Sequence, residues 1–197
     1  MTCRLLLVSG SLRAASTNLA VLATVRALTL PGVDGILYDR LAQLPPFNPD
    51  DDVEPLHPEV ARLRDAIHAA HALVFSTPEY AGALPGSFKN LLDWTVGDDQ
   101  PGSIYDKPVA WINTSPRGAR GAHAELETVL CYAHAALIEG GKFEIPVNPA
   151  MIGEDGLVAD LTTRDRIRRA VGELTAVLDC DRNTDSSGPR DLPTDPS

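Results

Sequence analysis

The sequence has few cysteines, no long apolar run and too little positive charge to balance its acids. Its three cysteines, Cys3, Cys131 and Cys180, lie far apart and show no metal-binding spacing. This pattern predicts reduced thiols, a cytoplasmic protein and no metal site. No apolar stretch reaches the roughly 18 residues that a membrane-spanning helix requires, so no membrane segment is expected.

The chain carries 27 acidic residues against 17 basic ones, which gives a formal net charge of −10. Such a charge disfavours nucleic acid and anionic membrane surfaces as partners. Part of the excess lies in residues 181–197, which are rich in Asp, Ser and Pro and are predicted to form a disordered tail. Residues 1–180 are long enough, in a chain that is 44% apolar, for one domain with a buried core.

Apolar, strand-like runs alternate with segments of helical spacing along residues 4–178. This alternation predicts an α/β protein in which helices cover both faces of a five-stranded parallel sheet. The predicted strands cover residues 4–9, 35–38, 72–76, 109–113 and 143–147. The predicted helices cover residues 17–28, 58–70, 86–96, 122–138 and 163–178, and the pair Gly140-Gly141 is expected to close the fourth of them.

Three loops of unusual composition follow the first, third and fourth predicted strands. We refer to residues 10–18, 77–85 and 114–121 as the first, second and third loops. In open α/β sheets, ligands bind beyond the carboxyl ends of the strands. The three loops are therefore expected to meet there and to form the functional site.

The first loop reads Gly10-Ser11-Leu12-Arg13-Ala14-Ala15-Ser16-Thr17-Asn18 and leads into a helix. A helix start offers unpaired N–H groups and a positive dipole end, and an arginine can hold two phosphate oxygens at once. The alternative is that Ser16 or Thr17 merely caps the helix. The Walker and Rossmann glycine patterns are absent, so the loop predicts a ligand with a single phosphate.

The second loop and the turn after it read Thr77-Pro78-Glu79-Tyr80-Ala81-Gly82-Ala83-Leu84-Pro85-Gly86. Its prolines and glycines favour a rigid backbone that suits a flat ring with polar edges, with Tyr80 against that ring; the alternative is a structural turn with a surface tyrosine. In the next helix, Lys89 and Asp93 are predicted to form a structural pair. Trp94 is a candidate for a subunit interface.

The motifs GSLRAASTN, TPEYAGALPG and KNLLDW together resemble the NAD(P)H-dependent FMN reductase family, which includes flavin, quinone, azo-dye and chromate reductases. The resemblance covers about residues 4–178. It implies a flavodoxin-like three-layer sandwich with strand order 2-1-3-4-5. It also implies bound FMN, with the phosphate on Ser11, Arg13, Ser16 and Asn18, the ring beside Pro78, Glu79, Tyr80 and Ala81, and further contacts from Ser115 and Gly118.

Two of the three loops depart from the family pattern. Many relatives carry Asn where this chain has Ala81, so an amide contact to the ring would be lost while the backbone N–H remains. The third loop is usually close to SPGGxGG, but here it contains Arg117 and Arg120. These arginines either favour an anionic donor such as NADPH or lie in solvent.

The family implies ping-pong hydride transfer, from NADPH or NADH to bound FMN and on to a small acceptor such as a flavin or quinone. FMN carries that chemistry, so no catalytic side chain is expected. The resemblance also implies a homodimer or homotetramer. The alternatives are an FMN-binding electron carrier without steady turnover and a protein that kept the fold but lost the flavin.

Overall fold

The computed structural model describes residues 2–28 and 31–178, so the tail predicted for residues 181–197 lies outside the described residues. Within them, strands and helices alternate. The strands are β1 (Cys3–Ser9), β2 (Val33–Tyr38), β3 (Ala72–Ser76), β4 (Pro108–Asn113) and β5 (Ala136–Glu144). The α-helices are α1 (Thr17–Ala27), α2 (Pro58–His68), α3 (Gly86–Val96), α4 (Arg120–Tyr132) and α5 (Leu161–Val177).

The five strands form one parallel sheet in the order β2-β1-β3-β4-β5. This is the flavodoxin-like order that the family resemblance implied, and the prediction is confirmed. The order reverses beside β1, which pairs with β2 on one side and β3 on the other. The carboxyl ends of β1, β3 and β4 are neighbours, so the three loops start at one edge.

Successive residues of a buried strand face opposite sides of the sheet, and each side has its own core. On one side, Leu6 and Leu73 belong to an apolar cluster that includes residues of α2, α3 and α4. On the other side, Leu7 and Val74 pack in a second cluster with residues of α1 and α5. The molecule is therefore a three-layer sandwich, with the sheet buried on both faces.

The fourth helix and the fifth strand differ from the prediction. Helix α4 ends at Tyr132, because His134 takes a left-handed conformation (φ 53°) that a helix cannot continue. The chain then enters β5 at Ala136, so Gly140 and Gly141 lie within the strand and do not close the helix. They occupy a break in register between β4 and β5, where a Cβ on Gly141 would be 3.1 Å from that of Ala110.

Helix α3 confirms one prediction about side chains and corrects another. Lys89 Nζ pairs with Asp93 Oδ1 at 2.5 Å along the helix, as the spacing predicted. Trp94 is 1% exposed, its Nε1 donates to Pro45 O at 2.9 Å, and its ring meets Phe47 edge-on. The prediction of Trp94 at a subunit interface was wrong, because this side chain fills the core of its own chain.

The cysteines also depart in part from expectation. Cys3 takes part in a disulfide bond, although reduced thiols were predicted. Cys131, on the exposed side of α4, is a free thiol as expected. No group of three metal-ligating side chains, and no helix long and apolar enough to cross a membrane, occurs in the parts of the chain that the structure describes.

Candidate functional site

Asn18 joins the first and third loops to the end of β3. The side chain is 5% exposed, and its Oδ1 accepts hydrogen bonds from Ser76 Oγ at 2.9 Å and from Thr114 Oγ1 at 3.0 Å. Thr17 Oγ1 lies 3.1 Å from the same Thr114 hydroxyl. Among residues 2–28 and 31–178, Asn18 Nδ2 has no partner. The amide group therefore organises three loop ends and keeps a donor available.

The first and second loops touch at Gly10. A Cβ built on Gly10 would lie only 2.3 Å from Thr77 Oγ1, so no residue other than glycine fits without displacing the second loop. The backbone N–H of Gly10 also donates to Ser76 O at 2.9 Å. The end of β1 is thus fixed against the end of β3, which sets the position of the first loop.

The polar groups of the first loop are arranged around the start of α1. Ser16 Oγ accepts from Leu19 N at 3.3 Å, so Ser16 is the N-cap that the simpler interpretation predicted. Ser11 Oγ accepts from Arg13 N at 3.3 Å and tightens the turn. The backbone amides of residues 14–18 find no acceptor in the described portion of the chain. Five consecutive free donors at a helix start can bind an anion.

Arg13 adds a cation to these donors. Its side chain is exposed and makes no ion pair or hydrogen bond within the described residues. A guanidinium without an acidic neighbour keeps all five N–H donors for a ligand. Residues 10–18 therefore satisfy the electrostatic and geometric needs of a phosphate cradle.

The second loop folds into a tight turn around Ala81. Tyr80 N donates to Ala83 O at 3.0 Å, and Ala83 N donates back to Tyr80 O at 3.1 Å. Ala81 (φ 51°) and Gly82 (φ 80°) are both left-handed, as in a type I′ turn. Pro78 is half-buried, whereas Tyr80 and Ala81 are exposed, and the N–H groups of Glu79, Ala81 and Gly82 have no partner among the described residues.

Two glutamates hold this turn against α4. Glu79 Oε2 accepts from Ala122 N at 3.0 Å, and Glu125 Oε2 accepts from Leu84 N at 2.7 Å. The N-cap residue of α4, Ala119, has no side-chain cap of its own. Glu79 therefore supplies the cap from the second loop, and an acid at that end also suits the helix dipole.

Gly121 lets the turn approach α4 closely. A Cβ on Gly121 would lie 2.0 Å from Gly82 O and 3.1 Å from Glu79 Oε2. The turn is thus in backbone contact with the first turn of α4. Together with the two glutamate bonds, this contact makes the second loop rigid.

The third loop is organised by Asn113, the fully buried last residue of β4. Its Nδ2 donates to Gly118 O at 2.7 Å and to the Glu144 carboxylate, and its Oδ1 accepts from Ser115 N at 2.9 Å. Gly118 (φ 86°) and Ala119 (φ 42°) then turn the chain into α4. The two predicted residues of this loop, Ser115 and Gly118, therefore lie on one short turn.

Tyr38, at the end of β2, is a titratable group near this edge with a strongly raised pKa. Burial, with a contribution from nearby Glu59, raises the pKa of Tyr38 to about 12. The phenol stays protonated at neutral pH and is not a general base there.

A separate cavity of about 960 Å³ lies at the opposite edge, where β3 and β4 begin. It is bordered by His68, His71 and Lys107, and Lys107 Nζ donates to Ala70 O at 2.8 Å. Burial lowers the pKa of Lys107. None of the predicted site residues borders this cavity.

Several residues that organise the site are not marked by the motifs of the sequence. They are Ser76, Asn113, Gly121 and Glu125. The first two had a detectable signal, because each is a polar residue that ends a buried apolar strand. Gly121 and Glu125 act through contacts with residues far away in sequence, for which no local pattern exists.

A flavodoxin-like sandwich with a donor-rich loop at the switch point of the sheet, beside a rigid second loop, is the architecture of the flavodoxin-like flavoproteins. Residues 3–148 match the family model described as NADPH-dependent FMN reductase. The chain belongs to this family, as its motifs predicted. It is an NAD(P)H-dependent oxidoreductase with FMN as its cofactor.

Individual relatives agree with this assignment. An NAD(P)H-dependent FMN reductase of Pseudomonas aeruginosa is 39% identical over 55% of this chain, although the match spans only 57% of that protein. A quinone reductase of Escherichia coli is 31% identical over 85% of this chain and 89% of its own length. The alternative of an electron carrier without turnover has no support from these relatives.

A solved structure supports both the fold and the class. FerB of Paracoccus denitrificans, a flavoenzyme NAD(P)H:(acceptor) oxidoreductase, has a TM-score of 0.74 and 26% identity, and the match covers 89% of this chain and 98% of that one.

Proposed function

We propose that FMN binds across the three loops, with its phosphate on the first loop and its ring over the second. Electrons from NAD(P)H then pass to a flavin or a quinone. The residues proposed to hold FMN are Ser11, Arg13, Ser16, Asn18, Pro78, Glu79, Tyr80, Ala81, Ser115 and Gly118. The observation that carries the proposal is the run of five free amides at residues 14–18 beside the unpaired guanidinium of Arg13.

The hydrogen-bond donors of the first loop explain why a phosphomonoester fits there. The free amides, Asn18 Nδ2 and the Arg13 guanidinium are all donors, and no acidic side chain is bonded to any of them in the described residues. A dianionic phosphate is the ligand that such a set favours. Ser16 caps α1 and still fits this scheme, because a hydroxyl that accepts from Leu19 N can donate its own hydrogen to the ligand.

The second loop suits the polar edge of a flavin ring through its backbone. The Glu79 carboxylate is already engaged by the start of α4, so in this scheme Glu79 contacts the ring with its free N–H. Ala81 and Gly82 offer two more free N–H groups on the same turn. Rigidly held amides of this kind stabilise negative charge without reorganisation.

When bound, FMN supplies the hydride chemistry that no protein side chain can perform. In this scheme the chain anchors the phosphate and holds the ring edge with backbone donors, and Tyr80, which is 46% exposed, does not close the site from solvent. No proton transfer by a side chain is required in this scheme. We therefore assign no catalytic residue.

The acceptor and the assembly are also part of the proposal. Relatives named as FMN reductase and quinone reductase support a flavin or a quinone as acceptor. We further propose a cytoplasmic homodimer or homotetramer, as the family resemblance implies. Size-exclusion chromatography with light scattering measures the assembly, and a monomer at micromolar concentration would contradict it.

The activity is tested with purified protein, FMN, NADPH and 1,4-benzoquinone. We expect a yellow protein whose NADPH oxidation depends on both FMN and quinone, with parallel lines in initial-rate plots, as in a ping-pong mechanism. A protein that binds FMN but does not oxidise NADPH or NADH would refute the reductase function. A protein that binds no FMN would refute the whole scheme.

A further inference from the structure

The third loop carries two arginines that the proposed FMN site does not use. Arg117 and Arg120 are exposed, and neither guanidinium has an acidic partner within the described residues. Some arginines of this acidic chain are neutralised, as Arg40 is by Glu59 and Arg64 by Asp52, whereas several others, such as Arg13, have no acidic partner among the described residues. Arg117 and Arg120 therefore place two unneutralised cations within four residues at the functional edge of a chain with a net charge of −10.

The backbone beneath these arginines is fixed. Asn113 donates a hydrogen bond to Gly118 O and accepts one from Ser115 N. Glu79 caps α4, the helix that begins at Arg120. A Cβ on Gly118 would be 3.6 Å from Arg120 Cγ and 3.9 Å from its Nε, so the Arg120 side chain lies over the third loop. Both cations are thus mounted on a rigid turn next to the second loop, while their heads remain in solvent.

The two possible hydride donors, NADPH and NADH, differ in charge at a single position of the molecule. NADPH carries a phosphate dianion on the 2′-oxygen of its adenosine ribose, and NADH carries a hydroxyl there. FMN has one phosphate, which the first loop already accommodates. Arg117 and Arg120 are cations that binding of the FMN phosphate does not require, and they lie beside the same site. They match the additional phosphate of NADPH, because arginine binds phosphate in a bidentate manner.

We propose that Arg117 and Arg120 bind the 2′-phosphate of the donor and so make this enzyme select NADPH over NADH. This inference rests on the proposed function, because it concerns the donor of the same site. Both contacts are solvent-exposed, so the selectivity should weaken as salt is added.

The test uses the FMN-loaded enzyme and adenosine 2′,5′-bisphosphate, a probe that carries the 2′-phosphate but no nicotinamide. Its dissociation constant is measured by calorimetry for the wild type and for Arg117→Ala, Arg120→Ala and the double variant. The matched control is Arg26→Ala, which removes an exposed arginine with no partner among the described residues from the end of α1, at the opposite edge of the sheet.

We expect the double variant to bind the probe at least about tenfold more weakly, which is about 1.4 kcal/mol, with unchanged FMN affinity. The ratio of kcat/KM for NADPH to that for NADH should fall by a similar factor, and Arg26→Ala should change neither value. Equal loss for NADPH and NADH would overturn the proposal, because it would place the arginines on the pyrophosphate that both donors share.

Unchanged probe binding in the double variant would also overturn it and would leave the reductase function intact. If the protein fails to bind FMN, the proposed function fails instead. Titration of the probe into the flavin-free protein then still decides whether these arginines bind the phosphate.

Discussion

Gly121→Ala tests whether the contact between α4 and the second loop positions the flavin. The new Cβ would lie 2.0 Å from Gly82 O and 2.9 Å from Gly82 C. Ordinary carbon–oxygen contacts are about 3.3 Å or longer, so the two backbones must separate by more than about 1 Å. Both clashing atoms belong to the backbone, and no side-chain rotation can relieve the overlap.

The magnitude follows from two opposing effects. Replacing a helical glycine by alanine gains up to about 1 kcal/mol of stability. Overpacking of this kind costs about 1–3 kcal/mol, and the separation also weakens the Glu79 cap on Ala122 N. We expect a net loss of about 1 kcal/mol in the free energy of unfolding and at least a tenfold loss of FMN affinity, since shifts of about 1 Å are costly at a site.

The assay combines denaturant unfolding with FMN titration followed by flavin fluorescence. The matched control is Gly172→Ala on α5, where an added Cβ meets nothing within 4 Å. That variant should gain up to about 1 kcal/mol of stability and keep its FMN affinity. If Gly121→Ala is stabilised as much as the control and binds FMN as tightly as the wild type, the reasoning is refuted.

Three further predictions concern other positions. Arg13→Ala should weaken FMN binding by more than ~1.5 kcal/mol, measured by titration, because a charge-assisted contact is lost; unchanged affinity would contradict the cradle. Ala81→Asn should raise the free energy of unfolding by about 0.5–1 kcal/mol, because asparagine tolerates the left-handed conformation at φ 51° better than alanine, and a loss of stability would contradict this. Hydrogen bonds from Thr163 lower the pKa of Asp160, so its contribution to stability is present above about pH 4 and disappears at more acidic pH. Asp160→Ala should therefore lower Tm at pH 7, with a smaller difference from the wild type at pH 3, and a constant difference would argue against this linkage.

The strands and helices were predictable where the signal is local. Strand β3 and helix α3 have the predicted bounds, 72–76 and 86–96, because a run of buried apolar residues and a helical spacing are both legible in sequence. The pair Gly140-Gly141 misled the prediction, because glycines end helices and also occupy irregularities in strands. Whether this glycine pair ends a helix or lies in an irregular strand depends on the register of β5 against β4, which is a long-range property.

The candidate site was predictable only in part, for the same reason. The glycine, serine and arginine residues of the first loop directly follow an apolar strand, so a candidate anion-binding loop could be located from the sequence. The hydrogen bonds that join the loops link residues 96 positions apart, for Asn18 and Thr114, and 43 apart, for Glu79 and Ala122. No local pattern encodes such pairs, so the tie of the second loop to α4 required the structure.

The central claim is that residues 10–18 hold the phosphate of FMN, and comparison of FMN with riboflavin tests it most directly. The two flavins share the ring and differ by the phosphate. Each charge-assisted hydrogen bond contributes about 1.5–3 kcal/mol, so the wild type should bind FMN at least about a hundredfold more tightly than riboflavin. In Arg13→Ala the two affinities should approach each other. Equal affinity of the wild-type protein for FMN and riboflavin would contradict the account.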